Sequence, residues 1–329
     1  MPKVDCLTIG SATQDIMFYT DDAVILRNPK DITKQKLIAF EYGAKIAAQS
    51  IYFTLGGGAH NAAVAMSKLG LKVGILTAVG TDGIANEIKA NLKKYKIDSQ
   101  LVKVYKGHRS SFSFIVNTGK FKEHVIFTYR GANFIIKISP AELDKVKTNW
   151  FYLTSLSGDY WRSNLRAVFS VARRRQIKVA WNPGGSQLRA GYKYLANFIK
   201  NTYVFNVNKD EAIELAVSAG KKTVNIQKLL FLIKSWGAKI VVITDGPRGA
   251  YVFDGKKVYH RPALAVEGIN TTGAGDSFGS TFVWGLIKGK NIDFALQAAI
   301  ANSNHVITAV GAQIGLLSSR EINKIIKMK

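Results

Sequence analysis

The sequence predicts an α/β fold in which helices cover both faces of a central, mostly parallel sheet. Short apolar runs alternate with helical patterns along most of the 329 residues, which is the order of elements expected for such a sheet. Several runs are continuous, and the clearest is Ile240-Val241-Val242-Ile243. Continuous Val and Ile runs are typical of strands buried on both faces, as in parallel sheets.

The individual elements follow from these runs and from the helical patterns between them. Strands are predicted at residues 4–10, 72–78, 149–154, 177–181, 203–207 and 238–244, and helices at residues 59–69, 84–95, 160–174 and 209–219. A further helix is predicted to begin after Ser139, because Glu142 completes a capping box and Pro140 occupies the first helical position.

Two regions interrupt the alternation and predict a small β-rich lid. Residues 16–55 contain the polar stretch 27–36, and residues 101–130 alternate apolar and polar side chains around a turn at Thr118-Gly119. Such alternation is typical of a hairpin. We expect a single domain over residues 1–329, with lid segments at about 16–55 and 101–130 that lie over the mouth of the main sheet.

The composition is that of a globular protein with a sizeable core, since 47% of residues are hydrophobic and 21% are charged. The single cysteine, Cys6, excludes an intrachain disulfide and fits a reducing compartment. No run approaches the ~18 apolar residues that a membrane helix needs. The apolar stretch near the N-terminus is too short for a signal peptide. We therefore expect a cytoplasmic protein without a membrane partner.

The net charge of +24 is the unusual feature of the composition. A basic surface can attract nucleic acid or acidic lipid. The lysines are scattered, however, and the one short cluster, Arg173-Arg174-Arg175, stands near the end of a predicted helix, where positive charge favours the helix dipole. This distribution argues against nucleic acid as the main partner, and it leaves room for a basic surface that attracts anionic substrates.

The strongest chemical signal is the segment Gly273-Ala274-Gly275-Asp276, which leads into a helical pattern. Glycines let the backbone approach a ligand closely, and the free N–H groups at a helix start attract anions. A carboxylate beside that anion can take the proton of an attacking hydroxyl while the N–H groups hold the developing charge, as phosphoryl transfer requires. The alternative is an Asp that only caps an ordinary helix. The segment is not a P-loop, because no Gly-Lys-Ser/Thr ends it.

This segment resembles the C-terminal signature of the ribokinase-like, or PfkB, carbohydrate kinases. Gly56-Gly57-Gly58-Ala59-His60-Asn61 resembles the N-terminal signature, in the order that the family has them. The resemblance covers nearly the whole chain. It implies a ribokinase-like three-layer sandwich with a small β lid, and an ATP-dependent kinase that phosphorylates a hydroxyl of a small sugar or nucleoside. A nucleoside kinase of the adenosine type, and a non-catalytic regulator that binds sugars or nucleosides, are the alternatives.

The resemblance also implies roles for single residues. Asp276 would be the catalytic base, and Gly273, Ala274 and Gly275 would form the anion hole. The acceptor would bind against Asp15, near the end of the first strand, and against the N-terminal signature. The implied substrate-binding residues are Asp15, Gly57, Gly58 and Asn61.

MgATP is implied to bind along the carboxyl edge of the sheet. The implied nucleotide-binding residues are Asn182, Asn208, Thr244, Gly246, Gly249 and Asn302. Glu211 would act on the magnesium ion through water, although Asn208 and Glu211 could instead only cap a helix. Asn270 stands where ribokinases commonly have Asp, which leaves a monovalent cation open.

The predicted lid gives two indications about the acceptor. Phe112, Phe114 and Tyr129 could stack on a nucleobase, or they could form the small core of the lid itself. Arg130 could pair with a phosphate on the substrate. The long stretch 20–50 predicts an enlarged lid or a contact within a homodimer, and neither the acceptor nor the oligomeric state follows from the sequence.

Overall fold

The computed structural model describes residues 3–27, 36–118, 123–266 and 268–327. Most of the polar stretch 27–36, and Gly119 of the predicted turn, lie outside these ranges. The strands are β1 (Cys6–Ile9), β2 (Thr13–Thr20), β3 (Val24–Arg27), β4 (Lys36–Ala39), β5 (Ser50–Gly56), β6 (Val73–Val79), β7 (Asp98–Val104), β8 (Ser111–Thr118), β9 (Glu123–Tyr129), β10 (Trp150–Leu153), β11 (Lys178–Trp181), β12 (Val204–Asn208), β13 (Ile240–Thr244), β14 (Ala250–Phe253) and β15 (Val258–Arg261).

The helices alternate with the strands of the large sheet. They are α1 (Gly58–Lys68), α2 (Gly83–Lys94), α3 (Pro140–Asp144), α4 (Trp161–Arg174), α5 (Gly185–Leu188), α6 (Gly191–Lys200), α7 (Lys209–Ser218), α8 (Ile226–Ser235), α9 (Ala274–Ile287), α10 (Ile292–Val306) and α11 (Ser319–Lys327). Every strand and helix predicted above is present, with bounds that differ by no more than two residues. The predicted capping box of α3 is also confirmed, because the Ser139 and Glu142 side chains cap each other's backbone N–H groups.

A nine-stranded sheet forms the centre of the molecule, in the order β15-β14-β13-β12-β11-β10-β1-β6-β7. The seven strands from β13 to β7 in this order pair in parallel, and β14 and β15 join the β13 edge in antiparallel fashion. The predicted fold class is confirmed, because helices cover both faces of this sheet. Helices α3 to α8 pack on one face, and α1, α2, α9, α10 and α11 pack on the other.

The continuous apolar runs have the predicted cause. Neighbouring side chains in one strand belong to opposite cores: Val241 packs with the α3–α8 layer, whereas Val242 packs with the α1 and α9–α11 layer. Both side chains are fully buried. Both faces of a central strand such as β13 are therefore buried, and a polar residue appears only at its carboxyl end.

A second sheet of four strands, in the order β5-β2-β8-β9, corresponds to the predicted lid. The hairpin prediction is confirmed by the antiparallel pairing of β8 with β9. Residues 101–104 of the predicted lid segment instead belong to β7, which pairs with β6 at the edge of the large sheet. Strands β3 and β4 pair only with each other among the described residues.

No helix in the described ranges combines the length and the apolar character needed to cross a bilayer.

Candidate active site

The carboxyl ends of three neighbouring strands and the first turn of α9 enclose a polar cleft of about 200 Å³. Open α/β sheets commonly bind ligands at this edge. The lining residues are Asn182, Asn206, Val207, Asn208, Glu211, Thr244, Gly273, Gly275 and Asp276. All of them except Asn206 and Val207 are predicted site residues. Two larger clefts, each of about 370 Å³, contain none of the predicted residues.

Glycine is required at the turn that begins α9. Gly273 has φ 81°, in the left-handed region, and a Cβ atom there would lie 2.3 Å from the Cβ atom of Ala312. Gly275 differs, because a Cβ atom at that position would meet nothing within 4 Å. The N–H groups of the first turn have no partner inside the helix. Such groups can bind an anion, and Gly275 and Asp276 of this turn line the cleft.

The carboxylate of Asp276 is held by a chain of two side-chain amides. Asn61 Nδ2 donates a hydrogen bond of 2.8 Å to Asp276 Oδ2, and Gln313 Nε2 donates one of 3.1 Å to Asn61 Oδ1. Burial raises the pKa of Asp276, and the hydrogen bond from Asn61 partly opposes that rise. The carboxylate is thus oriented and is a stronger base than an exposed Asp.

Asp15 lies on β2 with 6% of its surface exposed. Burial raises its pKa to about 6, although the hydroxyls of Ser113 and Thr13 donate to the carboxylate and partly offset the rise. A Cβ atom at Gly56 would lie 2.1 Å from Asp15 Oδ2, so the absence of a side chain there makes room for this carboxylate. The Asp15 carboxylate is therefore a buried hydrogen-bond acceptor with few donors among the described protein groups.

The structure brings the two predicted carboxylates close to each other. The charge of Asp276 contributes to the raised pKa of Asp15, so the two groups are close enough to repel each other. Helix α1 connects the two carboxylates. Its N-cap residue, Gly57, lies against the chain just before Asp15: Gly57 has φ 93°, and a Cβ atom there would lie 2.6 Å from the backbone oxygen of Ser11. Four residues further on, Asn61 reaches Asp276.

Oxygen atoms suited to a magnesium ion also line the cleft. Asn208 and Glu211 form a capping box at the start of α7, with hydrogen bonds of 2.8 and 2.9 Å. Glu211 is nevertheless half-buried in the cleft, and burial raises its pKa. The Oδ1 atom of Asn206 is buried without a partner in the described part of the chain. One carboxylate and amide oxygens fit an ion that keeps several of its waters.

Two parts of the predicted nucleotide site do not line this cleft. Asn302 is fully buried and does not line the cleft; its Nδ2 donates to Thr281 Oγ1 at 2.7 Å, and its Oδ1 accepts from the N–H group of Leu317 at 2.8 Å. Its carboxamide thus connects α9, α10 and the chain before α11. The turn with Gly246 and Gly249 follows Thr244 but does not line the cleft either.

Asn270 connects the loop before α9 to the small sheet. Its Oδ1 accepts from the N–H group of Thr272 at 2.9 Å, and its Nδ2 donates to the hydroxyl of Tyr19 at 3.2 Å. Both ends of this carboxamide therefore have partners in the protein. The sequence left open whether a monovalent cation binds beside Asn270, and this question stays open.

The lid aromatics lie on the opposite face of the small sheet from Asp15. Residue Asp15 pairs with Ser113, and side chains alternate along β8, so Phe112 and Phe114 point away from the acceptor site. The ring of Phe112 lies 5.0 Å from that of Tyr129 and 5.4 Å from that of Phe114. Stacking of these rings on a nucleobase in the site is contradicted, and mutual packing is confirmed.

Three residues that sequence reasoning missed complete the site: Gln313, Ser113 and Asn206. Gln313 directly follows Gly311-Ala312, which the resemblance had marked, but its contact with Asn61 spans 252 positions of sequence. Ser113 alternates with Phe112 and Phe114, and this polar position in an apolar strand was an available signal. Nothing in the apolar run around Asn206 indicated a role beyond the strand.

The fold and the site together define a kinase of small molecules. The chain belongs to the pfkB family of carbohydrate kinases, because the family model matches residues 30–319. It is 27% identical to the ATP-dependent 6-phosphofructokinase of Thermoanaerobacterium thermosaccharolyticum, over 85% of this chain and 87% of the relative. It is 25% identical to the ribokinase of Haemophilus influenzae, over 85% of this chain and 89% of the relative.

A solved structure agrees on the fold. Arabidopsis thaliana ribokinase complexed with ribose and ATP superposes with a TM-score of 0.81 at 19% identity and covers 100% of both chains. Membership of the family makes the protein a phosphotransferase that acts on a hydroxyl group, and it implies ATP and a divalent metal.

Proposed function

We propose that Asp276 is the general base that takes the proton of the acceptor hydroxyl as this hydroxyl attacks the γ-phosphate of ATP. The observation that carries the proposal is the hydrogen bond of 2.8 Å from Asn61 to Asp276, because it joins the predicted acceptor site to the anion-binding turn. A base with a raised pKa, fixed beside free N–H groups, is what transfer of a phosphoryl group to an alcohol requires.

The acceptor binds on the Asp15 side of the base. The carboxylate of Asp15 accepts hydrogen bonds from the hydroxyl groups of the acceptor, and Gly57 and Gly58 let the acceptor lie directly against backbone. Asn61 is already engaged with Asp276 and Gln313, so its role is to orient the base. Burial of Asp15 favours this function, since a poorly solvated carboxylate gains more from each donated hydrogen bond.

The nucleotide phosphates lie in the cleft beside the start of α9. Backbone N–H groups at Gly275 and Asp276 hold the charge that develops on the transferred group. Asn182, Asn208 and Thr244 offer polar side chains along the same cleft. A magnesium ion held through water by Glu211 supplies further neutralisation of the phosphate charge. The small sheet covers the acceptor and keeps water from the reaction.

The replacement Asp276→Asn tests this proposal. We expect the variant to bind ATP normally, because the N–H groups of the turn remain, and to lose roughly 100- to 10,000-fold in kcat, which is the usual contribution of a general base. Turnover is measured as ATP consumption with ribose, fructose, fructose phosphates and adenosine, and binding with a fluorescent ATP analogue. The exposed Asp159, changed to Asn, is the matched control. Near-normal turnover of Asp276→Asn would refute the assignment.

We also propose that the small sheet mediates a homodimer. By strand register, one face carries Asp15 and the other carries only apolar and aromatic side chains over most of its extent. This outer face consists of Ile16, Phe18, Ile51, Phe53, Leu55, Phe112, Phe114, Val116, Val125, Phe127 and Tyr129. Phe53 is 63% and Phe127 61% exposed. Such a face is unusual on the surface of a monomer.

The size of the outer face matches a contact between two copies of the chain. At these exposures it presents on the order of 800 Å² of apolar surface, which is what each partner buries in a standard stable interface. Two such faces can pack on each other about a two-fold axis, as sheets pack in a sandwich.

A further inference from the structure

A second polar cleft lies at the edge of the large sheet opposite the candidate active site. Its volume is about 370 Å³, and it is formed by the starts of β11, β12 and β13 together with the ends of α4 and α6. The same three strands lead to Asn182, Asn208 and Thr244 at their other ends. Since strands of four or five residues span roughly 13–17 Å, this amino-edge cleft is separate from the active site.

Four cationic side chains line the amino-edge cleft, and no acidic residue of the described ranges does. The four are Arg173, Lys178, Lys200 and Lys239. None of them forms an ion pair within the described ranges, whereas Arg174, the neighbour of Arg173, pairs with Asp144. Like charges around a concave surface reinforce one another's field inside it. An anion should therefore bind more tightly in this cleft than on the open surface.

The ends of the nearby helices account for only part of this charge. Helices α4, α6 and α8 all end at this edge of the sheet. The carbonyl end of a helix carries roughly half a negative charge, so three ends offset about 1.5 of the four positive charges. A surplus of about 2.5 positive charges remains, which capping of the helices does not explain.

Lys234 adds a further positive charge next to the cleft. Burial lowers its pKa, and the charge of Lys239 lowers the pKa further, whereas Asp254 raises it. The carboxylate of Asp254 accepts hydrogen bonds from the backbone N–H groups of Lys256 and Lys257, at 2.7 and 2.8 Å. Asp254 is thus engaged in its own turn and does not line the cleft.

The amino-edge cleft has an apolar floor and a fixed cation at its rim. Phe169, Ile177 and Val179 line the cleft and are buried. The Nζ atom of Lys178 lies 4.7 Å from the ring centroid of Tyr203 and 5.3 Å from that of Trp150. These rings hold the ammonium group without neutralising it, because an aromatic ring has no net charge. A ligand would therefore meet a charge that is already positioned.

We propose that the amino-edge cleft binds a small anion that contains a diphosphate group. A single phosphate carries about −1.5 to −2, so a diphosphate matches the surplus of about 2.5 positive charges better. Ammonium groups bind phosphate oxygens as point charges, and the guanidinium group of Arg173 can contact two oxygens at once. The volume of about 370 Å³ is within the range of small-molecule sites. This proposal does not depend on the kinase assignment.

Calorimetry with inorganic pyrophosphate and with inorganic phosphate, at constant ionic strength, tests the class of ligand. We expect pyrophosphate to bind at least about 10-fold more tightly than phosphate, because its two phosphate groups reach more of the cations. Equal affinities for the two anions would indicate an adventitious ion only and would overturn the proposal.

A double variant, Lys178→Gln with Lys239→Gln, tests the location. It should weaken binding of pyrophosphate about 10- to 100-fold, through the loss of two charge-assisted contacts. The matched control, Arg166→Gln with Lys193→Gln, removes the same charge at exposed positions on α4 and α6 and should change the affinity less than about 2-fold. KM for MgATP should be the same in both variants. Equal weakening by both variants would overturn the proposal.

ADP and single-stranded RNA test the source of the phosphate groups. Two ADP molecules bound per chain, one of which the double variant loses, would identify a nucleoside diphosphate. One ADP per chain, with binding of pyrophosphate intact, would identify a free diphosphate. Binding of RNA that the double variant abolishes, without any binding of pyrophosphate, would assign the cleft to a nucleic-acid surface and would overturn the proposal.

Discussion

At the residue scale, Asp15 shows how a site can lower the stability of the protein that carries it. The native state holds a proton on Asp15 up to about pH 6, whereas an exposed Asp releases it near its usual value of 3.8. Stability therefore falls as pH rises between these two values, because the native state binds more protons there. Above about pH 6 the full cost of a buried carboxylate is present.

Asp15→Asn should stabilise the protein at pH 7.5 and should have little effect at pH 4. A shift from 3.8 to about 6 corresponds to at most about 3 kcal/mol in the free energy of unfolding. Urea denaturation at both pH values measures the difference, and Asp159→Asn is the control for loss of an exposed charge. A variant that is less stable than the wild type at pH 7.5 would show that the carboxylate is better solvated than its 6% exposure indicates.

The same group predicts a pH dependence of acceptor binding. The ionised form of Asp15 accepts the hydroxyl hydrogen bonds, so KM for the acceptor should rise as pH falls through about 6. KM for ATP should not follow this titration, because Asp15 does not line the nucleotide cleft. Steady-state kinetics between pH 5 and 8 measures both constants, and a parallel rise of the two would argue against a role of Asp15 confined to the acceptor.

Single residues also show where sequence reasoning ends. Asp276 was predicted from a short glycine-rich motif, and Asp15 from the resemblance to the family. Gln313 could not, since its role depends on a hydrogen bond to Asn61 on a distant helix. Asn302 had the right type for a ligand contact, but its partners Thr281 and Leu317 use both ends of the carboxamide inside the core.

At the element scale, the turn into α9 separates backbone requirements from catalytic ones. Gly273→Ala forces a left-handed conformation on alanine, at about 1–2 kcal/mol, and adds a clash with Ala312. Gly275→Ala faces open space in an ordinary helical conformation, so it should keep or gain up to about 1 kcal/mol of stability. Its methyl group would enter the cleft, however, and should lower turnover.

Thermal denaturation and kcat for both variants test this distinction. The expected result is a less stable Gly273→Ala protein and a stable Gly275→Ala protein, with impaired turnover in both. Full activity of the stable Gly275→Ala variant would show that the phosphates do not approach this turn.

Elements in the interior were easier to predict than those at edges. The central strands are buried on both faces, so they appear as continuous apolar runs. Strand β7 stands at the edge of the large sheet with three of its seven residues exposed, and its alternating pattern is that of a hairpin strand. The pattern alone cannot tell which sheet such a strand joins, and this is why the predicted lid boundary at residue 101 was too early.

At the scale of the whole molecule, the apolar outer face of the small sheet and the high net charge have opposite effects on the association of two copies. The sequence motifs explain neither feature. The outer face of the small sheet favours association through apolar burial, whereas a charge of +24 on each copy opposes it. Salt screens the repulsion over about 10 Å at 0.1 M and leaves the apolar term intact. The proposed homodimer should therefore become tighter as ionic strength rises, the opposite of an association held by ion pairs.

Sedimentation measures this effect. We expect the dissociation constant of the dimer to fall between about 0.05 and 0.5 M salt, since screening is stronger at the higher value. Phe127→Lys places a like charge on the outer face and should yield a monomer at both salt concentrations. Val217→Lys, at a position on α7 that is 56% exposed, adds the same charge away from the sheet and should still dimerise in high salt. Equal weakening by both variants would mean that net charge, rather than the outer face, controls association.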